Sequence, residues 1–283
     1  MLYCIAISGI SLLGGLLPGV LRMTHTRMQL VMSFVSGLML GVAFYHLLPH
    51  SVVEIGGDHA VDISVWWLMA GLIVMLLLLR LFHFHRHDFS DEQAHAHAHA
   101  THGHRHSRGH EHPHDHAPAA SQLSWAGIAM GLALHTLIDG VALGAVMYGG
   151  SMESGLLGVG VFLAILLHKP LDAMSIVTVM QAGGWDRGAR VTANAVFALM
   201  CPIGALLFYF GIGHLLIDQS HAVGAALAFS AGAFICIALS DLLPEVHFHS
   251  HDRGKLTLAF LLGIVLAYAI GAVEPAGMHA GAH

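Results

Sequence analysis

The stretch LALHTLIDGVALGA, residues 132–145, sets His135 and Asp139 four apart inside an otherwise apolar run. A second stretch, LAILLHKPLDAMSI at 163–176, repeats the arrangement with His168 and Asp172. Residues four apart lie on one face of a helix, so each run lines up one imidazole and one carboxylate. Reading back at the same step gives Gly127, Gly131, His135, Asp139 and then Gly160, Ala164, His168, Asp172. Small residues let helices approach closely in a membrane, so the two ridges are expected to pack together and bring four polar side chains to one point. A charged side chain at mid-bilayer costs on the order of 2.5–3.5 kcal/mol and normally faces a partner or a cavity. Two matching pairs in consecutive runs argue for one shared site over two local His–Asp hydrogen bonds. An imidazole and a carboxylate from each of two helices make a four-ligand site for a divalent cation. Pro170 is expected to free the Leu166 carbonyl and kink its helix beside the ligands.

The surrounding chain reads as membrane protein. Of its 283 residues, 56% are hydrophobic and 10% charged, against about 25% charged in a soluble domain. Eight apolar runs stand out, at 2–20, 28–50, 64–82, 123–148, 154–181, 189–213, 221–245 and 255–273. Each is near or above the ~20 residues a helix needs to cross a bilayer, and such continuous runs exclude barrel strands. The first has no basic leader and is followed by seven more, so it reads as a span and not as a signal peptide. The expected fold is an all-α membrane protein of eight transmembrane helices. Residues 1–82 hold three spans, 83–122 form a loop, and 123–283 hold five. With that count, one side receives Arg22, Arg27, Arg80, Arg86, Arg105, Arg108, Arg187, Arg190, Arg253 and Lys255. The remaining basic residue, Lys169, lies within the fifth span, and the other side carries acids such as Glu54, Asp62 and Asp218. By the positive-inside rule the basic side is cytoplasmic and both termini face out, in a plasma or inner membrane. Cys4, Cys201 and Cys236 all fall in apolar runs and suggest no disulfide framework.

Residues 83–116 hold 13 of the 26 histidines and too little apolar surface for a core, so this stretch is expected to be disordered. Neutral imidazole is the commonest metal ligand, and the tract reads as a cytoplasmic metal buffer or sensor. Farther on, GLMLGVAFYHLLPH (37–50) aligns with GAFICIALSDLLPE (232–245) through a Gly, an Ala and the LLP. The second span runs outward and the seventh inward, so the match is an inverted repeat of the kind transporters use. His46 and His50 then stand at the outer mouth. Asp241 and Glu245, followed by His247, His249 and His251, stand at the cytoplasmic exit.

These residues resemble the ZIP (Zrt/Irt-like) family of divalent metal transporters over nearly the whole chain. HTLIDG (135–140) is similar to the family's H-N-x-x-E/D-G, and HKPLDA (168–173) to its H-x-x-P-E-G with the proline one place early. AGAFICIALSDLLPE resembles the family's seventh span. The resemblance implies spans one to three and six to eight as inverted halves around a central four and five, a 3+2+3 arrangement, in a homodimer. It assigns a first metal to Met39, His135, Asp139 and Asp172, with His168 matching a nearby family histidine. The family's second site is altered: Thr136 replaces an asparagine, Lys169 a carboxylate, and Cys201 a glutamate. An ammonium at Lys169 fills the space and supplies the charge of a second cation, so one transported metal is expected. Met39 and Cys201 are soft donors that favour zinc or cadmium, with iron and manganese as alternatives, over magnesium or calcium.

The expected function is therefore metal uptake into the cytoplasm by alternating access. The divalent ion is substrate, no prosthetic group is needed, and no nucleic acid is a partner. Two other classes use the same residues. An intramembrane hydrolase would hold a catalytic zinc and its water on the four ligands, but no nucleophile or substrate loop stands out. A metal sensor or store built on the histidine tract has no need of a buried intramembrane site.

Overall fold

The computed structural model describes residues 2–16, 25–83, 118–149, 158–212, 218–248 and 253–273. Its helices are α1 (Leu2–Leu16), α2 (His25–Val42), α3 (Leu48–Ile55), α4 (Ala60–His83), α5 (Pro118–Gly149), α6 (Val159–Ala182), α7 (Arg187–Gly211), α8 (Gln219–Phe248) and α9 (Arg253–Val273). A π-turn at Ala43–Leu47 joins α2 to α3 in one rod, and no strand occurs among the described residues. The π-turn precedes Pro49. A proline ring clashes with the carbonyl four residues back, here Tyr45, and the wider turn makes room for it.

Seven helices are long and apolar enough to cross a bilayer, the α2–α3 rod counting as one. Helix α1 has 15 residues, a rise of roughly 22 Å against a hydrocarbon core of ~30 Å. Seven of the eight expected spans thus meet the length requirement among the described residues. Helix α5 begins at Pro118, so 118–122, assigned to the loop from sequence, are helical. Residues 84–117, with most of the histidine tract, lie outside the described residues, as do His249 and His251.

Helix starts follow local chemistry. Asp186 caps α7, its Oδ2 accepting from the Ala189 amide at 3.1 Å. Ahead of α8, the Ser220 hydroxyl and amide donate to the Asp218 carboxylate at 3.0 and 3.3 Å. Those hydrogen bonds hold Asp218 below the usual carboxylate range.

The helices form two groups. In one, α6 and α7 touch each other and both α1 and α5; in the other, the α2–α3 rod touches α4, α8 and α9, and α4 packs on α8, while α5 also packs across on α8 and α4. The principal pairs are α2–α9, α4–α8, α5–α7 and α1–α6. Three of the four cross at glycines with one shared spacing. A Cβ on Gly37 would strike the Phe260 carbonyl, and one on Gly263 the Phe34 carbonyl. The same reciprocity links Gly71 with Phe229 and Gly232 with Leu68, then Gly140 with Cys201 and Gly204 with Leu137. In each pair a glycine three residues past the contacted carbonyl brings two backbones together, as small residues do in lipid. At the fourth crossing, Gly14 of α1 seats against the backbone of Pro170. Helix α6 runs unbroken through that proline.

Cross-group order is visible in burial. The membrane segment of α8 is 72% buried, while those of α4 and α9 are 17% buried and form the periphery. Hydroxyls add ties between helices by donating to backbone carbonyls: Ser33 of α2 to Leu256 of α9 at 2.7 Å and Ser8 of α1 to Ala198 of α7 at 3.1 Å.

Candidate metal centre

Helices α5 and α6 lie side by side across the line where the two groups meet, and each presents its His–Asp face there. One donor atom from each of His135, Asp139, His168 and Asp172 falls within 4.8 Å of all the others. His168 Nε2 is 3.2 Å from Asp139 Oδ2 and 3.8 Å from Asp172 Oδ2. His135 Nε2 is 3.5 and 3.7 Å from the same two oxygens. A tetrahedral zinc site with bonds of about 2.0–2.1 Å has ligand atoms roughly 3.3–3.4 Å apart. The four side chains therefore stand near the edge lengths of such a tetrahedron.

The polar bookkeeping of the centre also fits a cation. His168 Nδ1 donates to the Ala164 carbonyl at 2.8 Å. A carbonyl only accepts, so this ring nitrogen holds a proton, and Nε2 faces two carboxylates, within hydrogen-bond distance of Asp139 Oδ2 at 3.2 Å. His135 is 3% exposed, and neither of its ring nitrogens has a hydrogen-bond partner. Asp139 Oδ1 is buried without one as well. Buried polar groups are normally paired, so these orphaned atoms at one point mark a ligand site.

Lys169 lies beside them. Its Nζ donates to Asp139 Oδ2 at 2.6 Å, to Thr136 Oγ1 at 2.8 Å and to Asp172 Oδ2 at 3.5 Å. The Phe197 ring of α7 lies 5.3 Å from Nζ. Met39 lines a cavity of about 110 Å³ together with His135, His168 and Asp172. Cys201 is fully buried but is not among the four clustered donors; its carbonyl instead meets Gly140 at the α5–α7 crossing.

The remaining site candidates are spread out. His46 sits in the π-turn, 2% exposed, and its Nε2 donates to the Ala267 carbonyl of α9 at 2.9 Å. A Cβ on Gly160 would lie 2.9 Å from this ring. The expected convergence of the two ridges on four ligands is observed, while of their small residues Gly160 makes room for His46 and Gly131 lines the cavity. The four ligand side chains occupy the space that direct ridge contact would have closed. His50 is half-buried one turn before Glu54. Asp241, Glu245 and His247 belong to the last turns of α8.

Sequence reading missed Met32, Met75, Ser175, Ser240 and Phe197. Ser175 and Val179 continue the face of His168 and Asp172 at helical spacing, and Met32 and Val35 that of Met39, and all four line the cavity. That periodicity was a usable signal. Phe197 and Met75 come from other helices, and nothing local marks them.

A model described as ZIP zinc transporter matches residues 1–271. The zinc transporter ZIP9 of Micropogonias undulatus is 27% identical over 161 residues, 54% of this chain and 51% of that protein. Zinc transporter ZIP9-B of Xenopus laevis is 29% identical over 132 residues, 44% of this chain and 43% of that protein. The chain thus matches about half the length of these relatives. With the family match running from the first helix to the last and the paired His–Asp helices at its centre, this multi-pass membrane protein belongs to the ZIP zinc transporter family.

Proposed function

We propose that the chain moves one divalent transition-metal ion at a time through the His135–Asp139–His168–Asp172 centre and into the cytoplasm. Zinc is the first choice, with cadmium, iron and manganese as alternatives. The carrying observation is that His168 Nε2 and the orphaned nitrogens of His135 meet two carboxylates in a buried place, with one donor atom from each residue within 4.8 Å of the others. The names of the relatives, zinc transporters, support zinc as cargo. Met39 adds a thioether to the cavity wall and biases the site toward soft metals. Lys169, ion-paired to both carboxylates, takes the part of a second cation and limits the centre to one metal.

The cavity supports a route with two faces. Beyond the centre its lining residues, Met32, Leu78, Leu79, Gly131, Ser175, Val179 and Ser240, lie toward the helix ends that carry Arg27, Arg80 and Arg187. Toward the other end Val42, Leu47, Leu143, Val146 and Val161 are buried in one core. This is the arrangement of a carrier open to the cytoplasm and closed outside. The contrary state would open along His46 and His50, while Asp241, Glu245, His247, His249 and His251 would receive the metal at the exit. An inverted 3+2+3 repeat is supported by the principal helix pairs. Exchanging the first three spans with the last three, and α5 with α6, turns α2–α9 into α8–α4 and α1–α6 into α7–α5. Both termini face outward, the histidine tract faces the cytoplasm, and the working unit is a homodimer in the cell membrane.

The test is zinc flux into sealed vesicles holding the full chain, native against Asp139→Ala plus Asp172→Ala. A folded double variant that moves no zinc supports the assignment. Unimpaired flux in that variant overturns it, and no flux in the native chain overturns the transport reading.

A further inference from the structure

We propose that Lys169 is the counter-cation of the empty centre and that it sets how fast the unloaded carrier returns across the membrane. The inference rests on the transport reading above. An ammonium has three donors, and each of these has an oxygen: Asp139 Oδ2, Thr136 Oγ1 and Asp172 Oδ2. The Thr136 hydroxyl gives its own proton to the Leu132 carbonyl at 2.8 Å, which leaves its lone pair for Lys169. Lys169 is 0% exposed and heads the large, fully buried side chains. It is thus enclosed at the centre, unlike a lysine that snorkels to an interface.

Charge shows what the ammonium changes. Two bare carboxylates would give the empty centre two negative charges; Lys169 reduces this to one. A divalent cargo then brings the centre to one positive charge. The Born cost of holding charge in a low-dielectric place rises with its square, so Lys169 lets the empty and loaded centres cross at similar cost. Without it the loaded centre is neutral and the empty one doubly charged, and only the empty return slows. Asp139 Oδ1 and both His135 nitrogens have no hydrogen-bond partner, so the centre keeps free donors for the cargo besides the two oxygens that Lys169 shares with it.

Two fluxes separate these steps in vesicles holding the full chain. Net zinc uptake into metal-free vesicles needs the empty return. Exchange of labelled outside zinc for unlabelled inside zinc needs only the loaded centre. In Lys169→Met, the ratio of net uptake to exchange is expected to fall about tenfold or more, whatever the change in exchange itself. Lys169→Arg keeps the charge and is expected to recover most of the net uptake. Thr136→Val removes one acceptor and is expected to lower net uptake by roughly twofold to fivefold with exchange unchanged. If Lys169→Met elutes as aggregate, the Thr136→Val ratio decides. Equal losses of both fluxes, or undiminished net uptake in the folded variants, overturn the proposal. A native chain that shows neither flux overturns the transport reading itself, a result distinct from a changed ratio.

Discussion

The ligands of the centre are held in different ways. His168 is oriented by the Ala164 carbonyl one turn earlier on its own helix, so its metal-facing nitrogen is set by helical spacing alone. Met39 is held by burial, at 2% exposure on the cavity wall. A thioether prefers soft cations, and leucine matches its size. In Met39→Leu, zinc uptake is expected to stay within about threefold while the preference for cadmium over zinc drops about tenfold; competition between the two metals in vesicles measures it. His46 depends on the absence of a side chain at Gly160. Gly160→Ala must displace its ring and strain the 2.9 Å bond to Ala267, with an expected loss of about 1–3 kcal/mol, read as a lower Tm in detergent. The His–Asp pairs were legible in the sequence because both partners sit on one helix at a fixed step. Lys169 was legible as a charge where none should be. Its partner Phe197 was not, because contact between α6 and α7 depends on how whole helices lie and no local spacing encodes that.

At the scale of helices, glycines decide which faces touch. The reciprocal crossings at Gly37 and Gly263, Gly71 and Gly232, and Gly140 and Gly204 each bring a glycine onto the neighbour's backbone carbonyl. Sequence reading looked for such contacts on the ligand ridges and placed α5 against α6. The closest glycine crossings of α5 are with α7 instead, through Gly140 and Gly144. Ridges that bear ligands have to leave room for the cargo, so the close contact falls on the opposite face. That rule was not visible in the run of small residues itself, since both faces of α5 contain them. Replacing Gly71 by valine sets a branched side chain on the Phe229 backbone, where neither helix can give way. The expected loss exceeds about 3 kcal/mol and appears as a lower Tm and poor recovery in detergent. Gly9→Ala is the matched control, because a Cβ there meets nothing within 4 Å. Its Tm should be unchanged or slightly higher, alanine being the better helix former by about 1 kcal/mol.

Across the described residues, the two helix groups meet at the centre, and the lining of the cavity extends from it toward one face. Among the described residues, the helix ends on that face bear Arg27, Arg80 and Arg187, so the positive-inside rule makes that face the cytoplasmic one in the proposed orientation. Orientation and conformation therefore make one joint prediction that a thiol scan can check. In a background with Cys4, Cys201 and Cys236 replaced by serine or alanine, single cysteines at Ser175, Val179 and Ser240 line the cavity. A single cysteine at Ala43 or Val161 lies in the closed core beyond the centre. A membrane-impermeant thiol reagent applied to the cytoplasmic face is expected to label the first set and not the second. Zinc is expected to slow labelling at Ser175, one turn from Asp172, more than at Ser240. Labelling of the same set from the outer face would overturn the cytoplasmic placement of the cavity and, with it, the proposed orientation. Labelling of Ala43→Cys from the outer face, at a rate that falls as cytoplasmic zinc rises, would report the second access state directly. Its absence under every zinc gradient would leave the core as a fixed wall, and alternating access through this route would then have to be abandoned.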